Sequence, residues 1–282
     1  MKEDIIVQSP TRVDFAGGTL DIPPLFLFHQ PSYTINAAIT VFTTAKIREA
    51  SLEGAFSWQL ISQDQHESVV LDEANKNKDF TGHVLELPIR FILAYGKGRG
   101  IIEISSDAPK GSGLGASSSL GIAIQGALEI LEGVKRNPIE FIEYVKSIET
   151  QSIKVPTGYQ DYLAAYYKGV NIFSFTVDGI RHEPVEDENF LRELEQHLFL
   201  VYTSPHFSGV NNWELFRKHI DQDAYTISFF ERLRENAERC REAFLTKDLS
   251  ALATVMTKDW EDRKAMIPTM STPLIDEVII RL

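Results

Sequence analysis

Between the β-branched run Ile101 to Ser105 and a stretch with Leu120, Ile124, Ala127, Leu128 and Leu131 at helical spacing lies Ala108-Pro-Lys-Gly-Ser-Gly-Leu-Gly-Ala-Ser-Ser-Ser119. Strand, glycine loop and helix in immediate succession narrow the possible folds more than any other part of the chain. Gly111, Gly113 and Gly115 stand at alternate positions, removing side chains where a backbone has to approach something closely, and the serines open the helix. A helix N-terminus offers unpaired N–H groups and the positive end of a dipole, the combination that holds phosphate. A polyphosphate therefore suits the loop; the competing reading is a flexible connector with a serine cap. The chain has neither the Walker pattern GxxxxGK[ST], nor the GxGxxG spacing of dinucleotide folds, nor the HRD and DFG elements of protein kinases.

A length of 282 residues allows one large domain or two modest ones without staples. Cys240 is the only cysteine, which excludes a disulfide scaffold, and the seven histidines form no HExxH or Cys/His cluster, so a metal is expected on oxygen ligands. With 40 acidic against 28 basic side chains the formal charge is −12, which repels a phosphate backbone or an anionic membrane. Neither nucleic acid nor membrane is an expected partner. No run approaches the roughly 20 apolar residues of a membrane span, and Met1-Lys2-Glu3-Asp4 lacks a signal segment, so the expected location is cytoplasmic.

Strand character marks Ile5 to Val7, Arg12 to Ala16, Thr34 to Ile47, Trp58 to Ile61 and Ser68 to Leu71, which suggests an antiparallel sheet. Thr81 to Tyr95 reads as a helix that Pro88 should kink or break, and Gly96 to Gly100 as a turn. A helix is expected from Pro138 to about Gln151 and a strand at Val170 to Val177. Beyond Asp178 one strand at Leu198 to Thr203 precedes helical patterns over Val210 to Ile220, Ala224 to Leu245 and Ser250 to Met266. A domain boundary is placed there, dividing the chain into residues 1–178 and 179–282.

The loop resembles the second motif of the GHMP kinases, P-x-x-x-G-L-G-S-S, and two further segments resemble that family in the right order. Ser9-Pro-Thr-Arg-Val-Asp-Phe-Ala-Gly-Gly-Thr-Leu-Asp-Ile-Pro-Pro24 is similar to its first motif. Ile148-Glu149 followed by Thr157-Gly-Tyr-Gln-Asp-Tyr-Leu-Ala-Ala165 is similar to the segment bearing a metal-binding Glu and a catalytic Asp. The Phe-Ala-Gly-Gly and Gly-x-Gln-Asp runs, with Asp259-Trp-Glu261, look most like the sugar-kinase branch that includes heptose 7-phosphate kinases.

The resemblance implies an α+β, two-domain fold: an N-terminal ribosomal-protein-S5-domain-2-like domain and a C-terminal ferredoxin-like α/β sandwich. It implies ATP along Pro109, Lys110, Gly111, Ser112, Gly113, Leu114, Gly115, Ala116, Ser117 and Ser118, with Mg²⁺ on Ser117 and Glu149, hard oxygens of the kind that ion prefers. Asp161 would be the base and Arg12 the cation on the transferred phosphoryl group; Thr19, Asp21, Gly158 and Gln160 would face a sugar or sugar phosphate. Local chemistry leaves plainer readings open. Asp161 could be a helix cap, Arg12 a surface ion-pair partner, Glu149 a solvated residue, and Asp21 an Asx turn before Pro23-Pro24. Tyr162, Tyr166 and Tyr167 read as packing, Cys240 as unreactive, and His206 before Phe207-Ser208-Gly209 as incidental on a loop near the site.

One departure stands out. The family's third, glycine-rich motif has no counterpart, since no glycine follows Gly209, and the stretch from Ser271 to Leu282 looks like the helix that precedes that motif. A truncated C-terminal domain is the expectation, with an unfinished sheet edge that leaves a homodimer open. The function expected is transfer of the γ-phosphate of ATP to a sugar hydroxyl. The alternatives are a catalytically silent nucleotide- and sugar-binding sensor on the same scaffold, and a mevalonate-pathway kinase or decarboxylase.

Overall fold

Seventeen residues, Ser32–Arg48, form one strand, in which Thr34, Ile35, Ile39, Thr40, Val41, Thr43, Thr44 and Ile47 spread β-branched side chains along its length. In this computed structural model, which describes residues 3–50, 52–205 and 211–281, that strand is the spine of the sheet. The elements are β1 (Ile5–Ala16), α1 (Leu25–Phe28), β2 (Ser32–Arg48), β3 (Phe56–Ser62), β4 (Glu67–Asp72), α2 (Glu86–Tyr95), β5 (Gly98–Ser106), α3 (Ala116–Glu132), α4 (Pro138–Ile153), α5 (Gln160–Tyr167), β6 (Val170–Thr176) and β7 (Gly179–Pro184). After them come α6 (Glu188–Gln196), α7 (Asn212–Ile220), α8 (Ala224–Thr246), α9 (Leu249–Met266) and α10 (Pro273–Arg281).

One edge of β2 carries β1 along its length; the other is shared, with Ser32 to Ala37 pairing β6 and Thr43 to Arg48 pairing β5. The sheet order is β4-β3-β5-β2-β6-β7 with β1 on β2. Every pair is antiparallel except β3 with β5, so the sheet is mixed rather than purely antiparallel. The reason is the connection: β4 and α2 lie between β3 and β5 in the chain, and such a crossover returns the strand in the same direction.

Two helical layers cover the sheet. Ala45 and Ile47 of β2 join Trp58, Leu60, Ile102 and Ile104 against α2, α3, α4 and α5, whereas Ile35 and Ala37 join Ile172 against α6, α8 and α9. Odd positions of β2 thus face opposite layers in its two halves. The change falls where the register slips between Pro10 and Thr11, the kind of irregularity that re-aims side chains. Fully buried Trp58, Phe91 and Phe173 each contribute about 1.5–3 kcal/mol of apolar burial. A third cluster, Leu20, Ile22, Leu25, Leu215, Phe229, Phe230 and Leu233, pins the segment after β1 onto α7 and α8.

Several ends are encoded locally. Asn137 caps α4 by accepting from the Glu140 N–H ahead of Pro138, and Asp223 and Asp248 cap α8 and α9. Pro88 neither kinks nor breaks a helix: α2 begins at Glu86, so the proline sits in the first turn, where its missing N–H has no helical partner to lose. The strand expected at Leu198 to Thr203 does not form. Phe199 (69% exposed) to Tyr202 (52%) follow α6 with no partner strand among the described residues, and a strand needs a ladder to persist. Every regular element described after Pro184 is helical.

Candidate active site

The glycine loop closes the gap between β5 and α3 as its composition requires. Gly111, Gly113 and Gly115 all take positive φ (75°, 75° and 69°), and no side chain caps the α3 N-terminus. The serine-cap reading fails for that reason. The hydroxyls of Ser117 and Ser118 point instead to Glu149 of α4, donating to Oε1 at 2.6 Å and Oε2 at 2.8 Å. Pro109 to Ser112 form a turn closed by the Ser112 N–H on the Pro109 carbonyl, Lys110 is exposed, and Leu114 is buried beside Ala116 at the helix start.

Arg12 ties this loop to β1 and α5. Its backbone N–H donates to the Leu114 carbonyl at 3.1 Å, and its Nη1 donates to the Gly113 carbonyl at 2.7 Å. Nε and Nη2 both reach Asp161 Oδ1, at 2.8 and 2.7 Å. The guanidinium is 12% exposed, so it is no surface ion pair. Burial opposes its charge, but Asp14 and Asp161 outweigh burial and raise its pKa. Asp161 is the second residue of α5 and lies against Gly115, where a Cβ would come within 3.1 Å of its Cγ and 3.2 Å of Oδ2. Only glycine lets the loop and the carboxylate approach this closely.

The cap of α5 is Asp21, not Asp161. Asp21 is 1% exposed, and its Oδ2 accepts the N–H groups of Tyr159 and Gln160 at 2.5 and 2.8 Å. Burial raises its pKa, against those two donors. Gly158 makes the cap possible, because a Cβ there would stand 2.0 Å from the same oxygen. The Gln160 side chain lies against Gly18, and its Oε1 is buried without a hydrogen-bond partner. Thr19, a β-branched residue at φ 80°, holds a conformation that costs about 1–3 kcal/mol. What holds it is Arg263 of α9, whose Nη2 donates to the Gly18 carbonyl at 2.8 Å and Nη1 to Thr19 Oγ1 at 3.4 Å, while Nε pairs with buried Asp259 at 2.5 Å.

Glu149 is 4% exposed rather than solvated, and burial raises its pKa against the hydroxyls of Ser117 and Ser118. Ser117 Oγ and Glu149 Oε1, two hard oxygens at a helix N-terminus, form a donor set that fits Mg²⁺. Among the described residues no group of three or more His, Cys, Asp or Glu side chains could hold a metal ion, so further ligands would be phosphate oxygens and water.

Residues 84–169, which contain the loop, Glu149 and Asp161, match the family described as GHMP kinases N terminal domain. That segment is similar to the N-terminal domain of the GHMP kinases. The chain is 26% identical over 96% of its length to the bifunctional fucokinase/GDP-fucose pyrophosphorylase of Arabidopsis thaliana, of which it spans 27%. It is 24% identical over 97% of its length to the D-glycero-alpha-D-manno-heptose 7-phosphate kinase of Campylobacter jejuni, of which it spans 81%. A solved D-glycero-D-manno-heptose 1-phosphate kinase from Bacteriodes thetaiotaomicron superposes with a TM-score of 0.72 at 20% identity, covering 92% of this chain and 79% of that one. The fold is the GHMP fold, mixed α/β with the helical layers described above.

Contacts join the residues singled out in the sequence: Arg12, Asp161 and the glycine loop touch one another, Ser117 meets Glu149, and Asp21 meets Gly158 and Gln160, with Gln160 against Gly18 beside Thr19. His206 to Gly209 lie outside the described residues. Tyr162 is fully buried and Tyr166 and Tyr167 pack against the same core, as expected of packing residues. Cys240 is fully buried, and burial pushes its thiol pKa up, as an inert thiol requires. Sequence reading missed Asp14, Asn36 and Arg263. The i,i+4 spacing of Asp259 and Arg263 was a usable signal for that pair; nothing local marked Asp14 or Asn36. No described helix is long and apolar enough to cross a membrane.

Proposed function

We propose that this protein is a sugar kinase, transferring the γ-phosphoryl group of ATP directly to a hydroxyl of a sugar or sugar phosphate. The observation that carries this reading is the Arg12–Asp161 pair, anchored on the Gly113 carbonyl and pressed against Gly115 of the loop whose helix presents Ser117 and Glu149. The relatives named as a fucokinase and a heptose 7-phosphate kinase favour the same reaction class.

The chemistry follows from the geometry. The glycine loop and the uncapped α3 N-terminus bind the phosphates with backbone N–H groups. Ser117 and Glu149 would hold Mg²⁺, which when bound offsets charge on the phosphate oxygens. Asp161 accepts the proton of the attacking hydroxyl as the new P–O bond forms and the bond to ADP breaks. Arg12 keeps Asp161 oriented through Oδ1 and lies beside the loop where negative charge accumulates. Asp21 and Gly158 fix the start of α5, and with it Asp161. Thr19 and Gln160 border the acceptor.

The test is ADP release with MgATP against a panel of sugars, sugar phosphates, homoserine and mevalonate, on this chain and on Asp161→Asn. Acceptor-dependent release that Asp161→Asn abolishes supports the kinase and names its acceptor class. ATP and sugar binding without ADP release from any acceptor would replace it with the sensor, and CO₂ release would point to the decarboxylase.

A further inference from the structure

Asp14 is a poor residue for a strand, and it stands near the end of β1 beside a register irregularity. It lies two residues after Arg12 on β1 and therefore on the same face of the sheet, and its Oδ2 sits 3.1 Å from Arg12 Nε. Its other oxygen, Oδ1, is buried without a hydrogen-bond partner. Across the ladder its partner is Asn36 of β2, which is fully buried and whose Oδ1 is likewise unpartnered. Two orphaned acceptors on facing positions are mutually unfavourable unless one gains a proton. A carboxylic acid at Asp14 would supply it, donating to Asn36 Oδ1.

The charged groups around Asp14 come from four directions: Arg12 on β1, Asp161 on α5, Asp21 on the segment after β1, and Arg263 on α9. Burial, with the carboxylates of Asp161 and Asp21, outweighs the two guanidinium groups and pushes the Asp14 pKa up to about 6. A half-buried carboxyl, with one oxygen fully buried and unpartnered and the other on a guanidinium, is the kind of feature found at functional sites.

We propose that Asp14 is a positioning residue for phosphoryl transfer: ionised, it holds the Arg12 guanidinium on Asp161 and the Gly113 carbonyl; protonated, it turns to Asn36 and releases that hold. The inference rests on the kinase reading of Arg12 and Asp161 given above. The role assigned to Asp14 is exerted through Arg12. Turnover therefore depends on Asp14 losing its proton, which gives kcat an acid limb near pH 6.

Two measurements test it, one of them independent of activity. In protein labelled with ¹⁵N at arginine, the Arg12 Nε–H resonance, assigned with Arg12→Lys, is followed from pH 5 to pH 8. It should shift with a midpoint near pH 6 in the wild type and stay fixed in Asp14→Asn. In parallel, pH–rate profiles of ADP release with the best acceptor should show a kcat about tenfold lower in Asp14→Asn, the limb near pH 6 gone, and KM for ATP changed less than about twofold.

Thermal unfolding separates this role from a structural one. The folded-state pKa is raised, so ionised Asp14 destabilises the native state above pH 6. Asp14→Asn should melt above the wild type at pH 8, with the gain shrinking at pH 5. An Arg12 resonance that does not move in the wild type, or an Asp14→Asn variant with unchanged kcat and acid limb, overturns the proposal. A variant that only loses thermal stability also overturns it. A moving Arg12 resonance with no ADP release from any acceptor instead removes the kinase reading, and with it the role assigned to Asp14.

Discussion

The glycine loop and the cluster around Thr19 and Asp21, proposed above as the acceptor side, meet through the start of α5 but are built in different ways. The loop takes its shape from consecutive residues: alternating glycines with positive φ, then serines opening α3. The acceptor side is assembled from Gly18 and Thr19 after β1, Asp21, the Gly158 to Asp161 turn, and Arg263 some 240 positions further along the chain. One side is a local conformational preference. The other exists only when β1, α5 and α9 are docked, so it should respond to substitution through stability as well as through chemistry.

That difference can be broken deliberately. The largest effect should come from Asp161→Asn, where the two sides meet: general-base loss lowers kcat by about 10²–10⁴, with the thermal midpoint nearly unchanged because the residue is an isostere in a partly exposed position. A comparable loss of stability would mean that the Arg12–Asp161 pair serves the fold rather than the reaction. Gly115→Ala should lower kcat by about 10²-fold, since its Cβ would press on Asp161 at 3.1–3.2 Å in a backbone region unfavourable to alanine; turnover at the wild-type level would show that the approach of loop and carboxylate is unimportant.

On the acceptor side, Arg263→Ala leaves Asp259 (8% exposed) without its ion-pair partner and Thr19 without its tether, which should destabilise by about 3 kcal/mol. Calorimetry checks the stability. Steady-state kinetics should show KM for the acceptor rising more than KM for ATP, and equal rises would erase the distinction between the two sides. Gly158→Ala drives a Cβ into Asp21 Oδ2 and should cost about 1–3 kcal/mol, read as a lower urea midpoint. Smallest is Ser118→Ala, which removes one hydroxyl donor from Glu149 while Ser117 remains; it should cost about 1–2 kcal/mol and raise the Mg²⁺ concentration for half-maximal rate only slightly.

Much of the fold was legible in order and extent. The runs around Thr34 to Ile47, Trp58 to Ile61 and Ala224 to Leu245 coincide with β2, β3 and α8 to within two residues, because β-branched runs and a 3.6-residue apolar period are strong local signals. Leu198 to Thr203 was misread because an apolar run does not reveal whether a partner strand will be beside it. Pro88 was misread because the helix start, Glu86, carries no capping side chain to mark it. The parallel pairing of β3 with β5 is a property of the chain's route, not of either strand.

The candidate site divides in the same way. Arg12, Asp161, Glu149, Ser117 and the loop were found from motif resemblance, and the glycine and serine pattern already implied a helix N-terminus open to phosphate. By itself the sequence determined the elements, their order and the loop's backbone, since these depend on dihedral preference and periodicity over a few residues. Only the tertiary structure decided that Asp21 caps α5, that Arg263 holds Thr19, and that Asp14 meets Asn36 beside Arg12. Each of those depends on strand register and helix docking, where electrostatics between residues distant in sequence act only once hydrophobic packing has brought them together.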